Sequence, residues 1–167
     1  MTFNKGVLDI DAATEVERIV CSLQWQVRKS MRRLGAVVGI SGGVDSSVAL
    51  ALCVRAFGAA KTIAVMMPEK DTDPDSERLA RKVAETFGVT PILEDITPVL
   101  EGFGCYKRRD AAIRRVFPDY DAAAGYKAKI VLPRNLLDED TLNVFQLTII
   151  TPEGEERTAP LPVRGFQ

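Results

Sequence analysis

Seven consecutive residues, Ser41-Gly42-Gly43-Val44-Asp45-Ser46-Ser47, carry the densest chemistry of the 167-residue chain. Adjacent glycines let a backbone turn sharply and approach a ligand closely. Hydroxyls at Ser41, Ser46 and Ser47 join the free N–H groups of a following helix to form a cradle for anions. Asp45 would be repelled by a bare phosphate. It fits if Mg2+ lies between, because magnesium takes carboxylate and phosphate oxygens together. The string matches neither GxxxxGK[ST] nor GxGxxG. Without the lysine, such a loop offers hydroxyls and N–H groups to a phosphate or pyrophosphate. The plainer alternative is a strand-to-helix turn in which Asp45 or Ser46 is an ordinary N-cap. The complete string in a strand–loop–helix setting favours the anion cradle.

The setting is read from periodicity. Residues 12–33 predict a first helix, with Asp11 as N-cap and an apolar stripe of Val16, Ile19, Val20, Leu23, Trp25, Val27 and Met31. Arg28, Lys29, Arg32 and Arg33 load its last turns with positive charge, which suits the helix dipole. Gly35 is read as its stop, and Ala36–Ile40 as a strand buried on both faces. Val48–Phe57 reads as an apolar helix stopped by Gly58, and Thr62–Met67 as a second buried strand. A polar loop, Pro68–Pro74, leads to an amphipathic helix over Asp75–Phe87, with Leu79, Val83 and Phe87 on one face. Val89–Leu93 is the third strand. Strands alternating with helices at this spacing predict a Rossmann-like parallel α/β sheet with right-handed crossovers.

After Asp95 the rhythm changes. Ile96–Leu100 reads as a helical turn, Ala111–Phe117 as a short helix, and residues 119–143 as irregular. Asn143–Thr151 reads as a strand that turns at Pro152–Glu155 and pairs back over Glu156–Ala159. Pro160–Gln167 resembles a linker. The division expected is an α/β domain over residues 1–117 and an insert-like segment with a β-hairpin over 118–167.

Composition narrows the chemistry. The chain has no histidine, which removes serine–histidine and cysteine–histidine nucleophiles and most zinc sites. Cys21, Cys53 and Cys105 are odd in number and far apart, so a disulfide framework is not expected and a reducing compartment is. Cys21 and Cys53 read as small buried hydrophobes within helices. With 22 basic and 23 acidic residues, the net charge of −1 offers no overall field toward nucleic acid or an anionic membrane. The cluster Lys107, Arg108, Arg109, Arg114 and Arg115 reads as a solvated helix face balanced by Glu101, Asp110, Asp119 and Asp121. No apolar run approaches the ~18 residues of a membrane span, and Met1–Lys5 does not open a secretory signal. The expected location is cytoplasmic.

SGGVDSS after Val37-Val38-Gly39-Ile40 resembles the pyrophosphate loop of the ATP pyrophosphatases, a superfamily with the adenine nucleotide α-hydrolase-like fold. The flanks are most similar to ammonia-dependent NAD synthetases. Phe3–Ile10 and Glu15–Ile19 resemble the lead-in helix of that family, and Met66-Met67-Pro68 with Asp75-Ser76-Glu77 and Ala80 its second strand and next helix. The resemblance spans about residues 3–105. It implies a ligase that adenylates deamido-NAD with ATP and then transfers ammonia, giving NAD, AMP and pyrophosphate. It also implies that Ser41, Gly42, Gly43, Val44, Asp45, Ser46 and Ser47 hold the pyrophosphate and Mg2+, with Asp45 as the metal ligand, and that Met67 lies near the adenine. Core packing is the competing role for Met67. A homodimer is implied too, consistent with the Trp25-bearing helix and an uncovered sheet edge.

Part of the family pattern is not found in residues 106–167: further strands, an arginine-rich helix and a Gly-Thr loop. The chain is therefore expected to be an N-terminal fragment or a truncated relative, supplying strands 3, 2 and 1 of a 3-2-1-4-5 sheet. Two other readings stay open: another pyrophosphatase-type enzyme (tRNA thiolation or GMP synthesis), or a non-catalytic nucleotide-binding fragment.

Overall fold

The structure is a computed structural model that describes Gly6 and residues 9–131 and 145–161. Most of the Phe3–Ile10 stretch, the start of the expected strand at Asn143 and most of the Pro160–Gln167 segment lie outside the described residues. By packing, the chain forms two compact units, Met1–Pro98 and Val99–Gln167.

The first unit opens with α1 (Ala12–Trp25), and Asp11 caps it by accepting from the N–H groups of Ala13 (3.1 Å) and Thr14 (3.3 Å). The expected helix to residue 33 is shorter. A π-helical turn, Gln26–Ser30, follows α1, and Arg32 leaves it in the left-handed region at φ 54°. Gly35 therefore does not stop the helix. A Cβ on Gly35 would lie 1.8 Å from the Lys61 carbonyl oxygen, so close backbone approach is what demands glycine there.

Three parallel strands follow in the order β1 (Ala36–Gly39), β2 (Thr62–Met66), β3 (Ile92–Leu93). Two helices link them: α2 (Val44–Phe57) and α3 (Pro74–Thr86). Both crossovers place their helix on the same face of the sheet, the expected outcome of one handedness. Val38, Ile40, Ala64 and Met66 meet Leu50 of α2 and Ala80 and Ala84 of α3 in a buried core. Val83 and Phe87 pack against this core as expected, beside the buried Ala80 and Ala84, whereas Leu79 is exposed.

The expectation of strands buried on both faces is not met. Val37, Ile63 and Ile92 point to the other face and are 69%, 46% and 51% exposed. Both helices that follow β1 and β2 are spent on one side, and α1 adds a further layer by packing on α2 through Val16, Val20, Leu23 and Phe57. Trp25 does not share the α1 stripe and is 64% exposed. Cys21 is exposed, against expectation. Cys53 is half-buried against the core, and burial pushes its thiol pKa up.

Near the division between the units lies α4 (Thr97–Gly102), and in the second unit α5 runs over Cys105–Arg114, so Cys105 opens a helix. An antiparallel sheet, β4 (Lys127–Val131), β5 (Gln146–Ile150), β6 (Glu156–Pro160), includes the expected hairpin. β4 lies within the stretch read as irregular. Its two lysines and one-residue alternation weaken the strand signal, and pairing with β5 provides what propensity does not. Leu147 and Ile149 of β5 pack on Ile113, Phe117 and Tyr120. Arg157 ties β6 to Asp119 (Nη2 to Oδ1, 3.1 Å) and lies over the Phe117 ring.

Candidate functional site

The SGGVDSS string joins the carboxyl end of β1 to α2, and it enters the helix one turn earlier than periodicity predicts. Gly43 is the N-cap and supplies no side-chain hydrogen bond. Val44, Asp45, Ser46 and Ser47 therefore form the first helical turn. The plainer alternative, Asp45 or Ser46 as an ordinary cap, is not what the chain adopts. Ser47 N–H closes the first helical bond to the Gly43 carbonyl at 3.1 Å. Among the described residues, the N–H groups of Val44, Asp45 and Ser46 have no backbone or capping partner. Such groups carry the positive end of the helix dipole.

The serines organise this turn. Ser46 Oγ donates to Gly43 O (3.1 Å) and accepts from Ser41 N–H (3.2 Å), and Ser47 Oγ donates to the same carbonyl at 2.7 Å. Ser41 Oγ lies 3.3 Å from Ser46 Oγ. Gly42 adopts φ 80°, a region that favours glycine. A Cβ there would stand 2.7 Å from Leu79 Cβ and 2.8 Å from Ser76 O, so α3 leaves no space either. Asp45 and Val44 are exposed, and Asp45 has no ion-pair partner among the described residues.

One carboxylate beside a phosphate cradle suits magnesium, which takes one or two protein carboxylates and fills its other positions with phosphates and water. Among the described residues there is no group of three or more His, Cys, Asp or Glu able to hold a metal by itself. The residues present thus fit a Mg2+ shared with a phosphate ligand.

Beside the loop, a cavity of about 340 Å³ opens at the carboxyl ends of β1 and β2. Ligands of open α/β sheets bind at such ends. The cavity brings Ser41 and Met67 together, whereas Val44, Asp45, Ser46 and Ser47 do not line it. Met67 sits just past β2, half-exposed, with its Cε 3.1 Å from where a Cβ on Gly39 would be. It is therefore a wall residue, and the core methionine is Met66. Thr72, Ser76 and Glu77 also line the cavity; sequence reasoning assigned none of them a site role, although Ser76 and Glu77 lie within the family resemblance. Their signal was positional: a polar loop and helix start directly after the second strand. The basic cluster of α5 is partly paired within its own unit: Arg109 with Asp110 at 3.0 Å, and Arg114 Nε with Tyr120 O at 2.9 Å.

A parallel β/α sheet with an uncapped SGGVDSS helix start beside a cavity at its strand ends is the architecture of an α/β domain of the ATP pyrophosphatase class. The sequence matches the NAD synthase family over residues 15–117, and the chain belongs to that family. It is 48% identical over 162 residues to the NH(3)-dependent NAD(+) synthetase of Rhizobium meliloti, covering 97% of this chain and 47% of that protein. The corresponding protein of Mesorhizobium japonicum is 48% identical over 160 residues, covering 96% of this chain and 49% of its own. The chain thus spans about half the length of these curated relatives. Among solved structures, the NH3-dependent NAD synthetase of Campylobacter jejuni in complex with the nitrate ion shares the fold, with a TM-score of 0.53 at 24% identity over 68% of this chain and 53% of that one. No helix among the described residues is long and apolar enough to cross a membrane.

Proposed function

We propose that this chain carries the ATP-binding part of an ammonia-dependent NAD synthetase. The supporting observation is the start of α2, where three N–H groups stay unsatisfied while Ser41, Ser46 and Ser47 brace the turn around Gly43. In this reading Ser41, Gly42, Gly43, Val44, Ser46 and Ser47 receive the β- and γ-phosphates of ATP. Asp45 holds the Mg2+ that offsets their charge. Met67 walls the adenine side of the adjoining cavity. The nucleotide-binding part is the first compact unit, Met1–Pro98; the boundary expected at residue 117 falls inside the second unit, where Ile113 and Phe117 pack on β5.

The reaction needs positioning and charge stabilisation rather than a protein nucleophile. A carboxylate is a poor acyl donor because oxide is a bad leaving group. The nicotinate carboxylate of deamido-NAD attacks the α-phosphorus, pyrophosphate leaves, and an acyl-adenylate forms. Ammonia then attacks the acyl carbon, AMP leaves, and the amide of NAD remains. The loop's task is to stabilise the departing pyrophosphate, which the N–H groups of Val44, Asp45 and Ser46 suit. The curated relatives named above carry the same activity in their names. A homodimer in the cytoplasm completes the reading, supported by the exposed Trp25, the open sheet face and three free cysteines.

The test is NAD formation from ATP, Mg2+, deamido-NAD and ammonia, paired with calorimetric binding of pyrophosphate and ATP. The expected result is binding of both ligands by this chain, lost in Asp45→Ala. Binding without NAD formation would reject the ligase activity for this chain while leaving the nucleotide site. Absence of binding would reject both.

A further inference from the structure

The cavity beside the loop holds a hydroxyl that none of the roles above employs. Ser76 lies in the first turn of α3, is half-buried, and lines the cavity together with Ser41 and Met67. The polar groups around it are engaged. Thr72 Oγ1 accepts from Glu69 N–H at 2.9 Å, and Glu77 Oε1 accepts from Arg81 at 3.1 Å. Ser46 and Ser47 donate to the Gly43 carbonyl. Ser76 Oγ has no hydrogen-bond partner among the described residues.

Its backbone, in contrast, is fixed. Ser76 N–H donates to Asp73 O at 2.9 Å, and Ser76 O packs against the loop, 2.8 Å from where a Cβ on Gly42 would stand. A free hydroxyl on a fixed backbone, at the junction of an anion loop and a cavity of about 340 Å³, is a donor that needs little ordering to bind. That volume lies in the range of small-ligand sites and accommodates a nucleoside.

We propose that Ser76 is a nucleotide-contacting residue, donating its O–H to an oxygen of the sugar–α-phosphate portion of ATP. This rests on the pyrophosphate-loop reading. The loop takes the outer phosphates, the cavity takes the nucleoside, and Ser76 stands where α3 touches both. Its contribution belongs to the nucleoside half of the ligand, so it separates ATP from free pyrophosphate.

The experiment is calorimetric titration of the chain with Mg2+–ATP, Mg2+–pyrophosphate and adenosine, for the wild type, Ser76→Ala and Ser76→Thr. In Ser76→Ala the ATP dissociation constant rises about five- to tenfold, the size of one hydrogen bond, and that for pyrophosphate stays unchanged. Ser76→Thr, which keeps the hydroxyl, restores ATP affinity. A parallel loss with adenosine puts the acceptor on the ribose, and a loss confined to ATP puts it on the α-phosphate. Equal weakening of ATP and pyrophosphate would overturn the proposal, because Ser76 would then act only through the loop backbone. Unchanged ATP affinity in Ser76→Ala would overturn it as well. A wild-type chain that binds neither phosphate ligand removes the loop reading and this proposal together.

Discussion

Two helix starts in the first unit are built to opposite plans. At α3, Asp73 reaches forward to accept Asp75 N–H at 2.9 Å, and Pro74 removes one donor altogether. At α2, the cap is Gly43, no side chain covers the first turn, and the nearby hydroxyls turn toward the Gly43 carbonyl instead. α1 follows the α3 plan, with Asp11 as its cap. A helix start is ordinarily satisfied by Ser, Thr, Asp or Asn at the N-cap. α2 has serines and an aspartate within reach in sequence and uses none of them as a cap. The chemistry that stabilises α3 from within is left unused at α2, as the proposed anion site requires. A negative ligand gains what the helix forgoes.

The largest effect that can be directed at this contrast is Gly42→Ala. The residue would hold φ 80° with a Cβ 2.7 Å from Leu79, a strained placement costing roughly 1–3 kcal/mol before any clash. Pyrophosphate binding is expected to fall on the order of a hundredfold in calorimetry, because the loop must move away from α3 to relieve the contact. Next comes Asp73→Ala, which removes a used cap. It should cost about 1 kcal/mol of stability in a denaturant titration while leaving pyrophosphate affinity in place. An equal loss of affinity would show that the two helix starts are not independent.

Gly43→Asn works in the opposite direction. Gly43 has φ −75° and ψ 160°, open to any residue, and a Cβ there meets only Ser41 Oγ at 3.4 Å. Converting the open start into a capped one is expected to raise stability by about a few tenths of a kcal/mol and to weaken pyrophosphate binding. A tighter-binding variant would contradict the idea that the open N–H groups serve the ligand. The smallest effect is in pH. The Thr14 side chain and backbone hydrogen-bond to Asp11 and hold its carboxyl below the usual carboxylate range. A depressed carboxylate stabilises the fold above its unfolded pKa and loses that contribution as pH falls through the lower folded value. Protection of the Ala13 and Thr14 amides relative to their intrinsic exchange rates should therefore fall in acid. The first turn of α2, which has no carboxylate cap, should show no such dependence.

The two sheets differ in a related way. The antiparallel sheet is joined by the short β5–β6 turn, and its Leu147 and Ile149 are buried on partners from the same unit. The parallel sheet buries one face and exposes Val37, Ile63 and Ile92 on the other. Exposed apolar patches on a sheet are surfaces for a further layer.

Local chemistry in the sequence was enough for the strand–loop–helix setting of SGGVDSS, the Asp11 cap and the alternation of strand and helix, since capping and periodicity act over short stretches, whereas the strand order came with the family resemblance. β4 escaped because a lysine-bearing strand is specified by its partner more than by its own residues. Tertiary structure alone decided that β1 and β2 are covered on one side only, that Trp25 and Cys21 face solvent, and that Gly35 is required by the Lys61 carbonyl. It also brought Ser76 of α3 against Gly42 and into the wall of the cavity. The reason is physical: an apolar residue in a strand is equally at home under a helix or awaiting one. Which of the two occurs depends on residues far away in the chain.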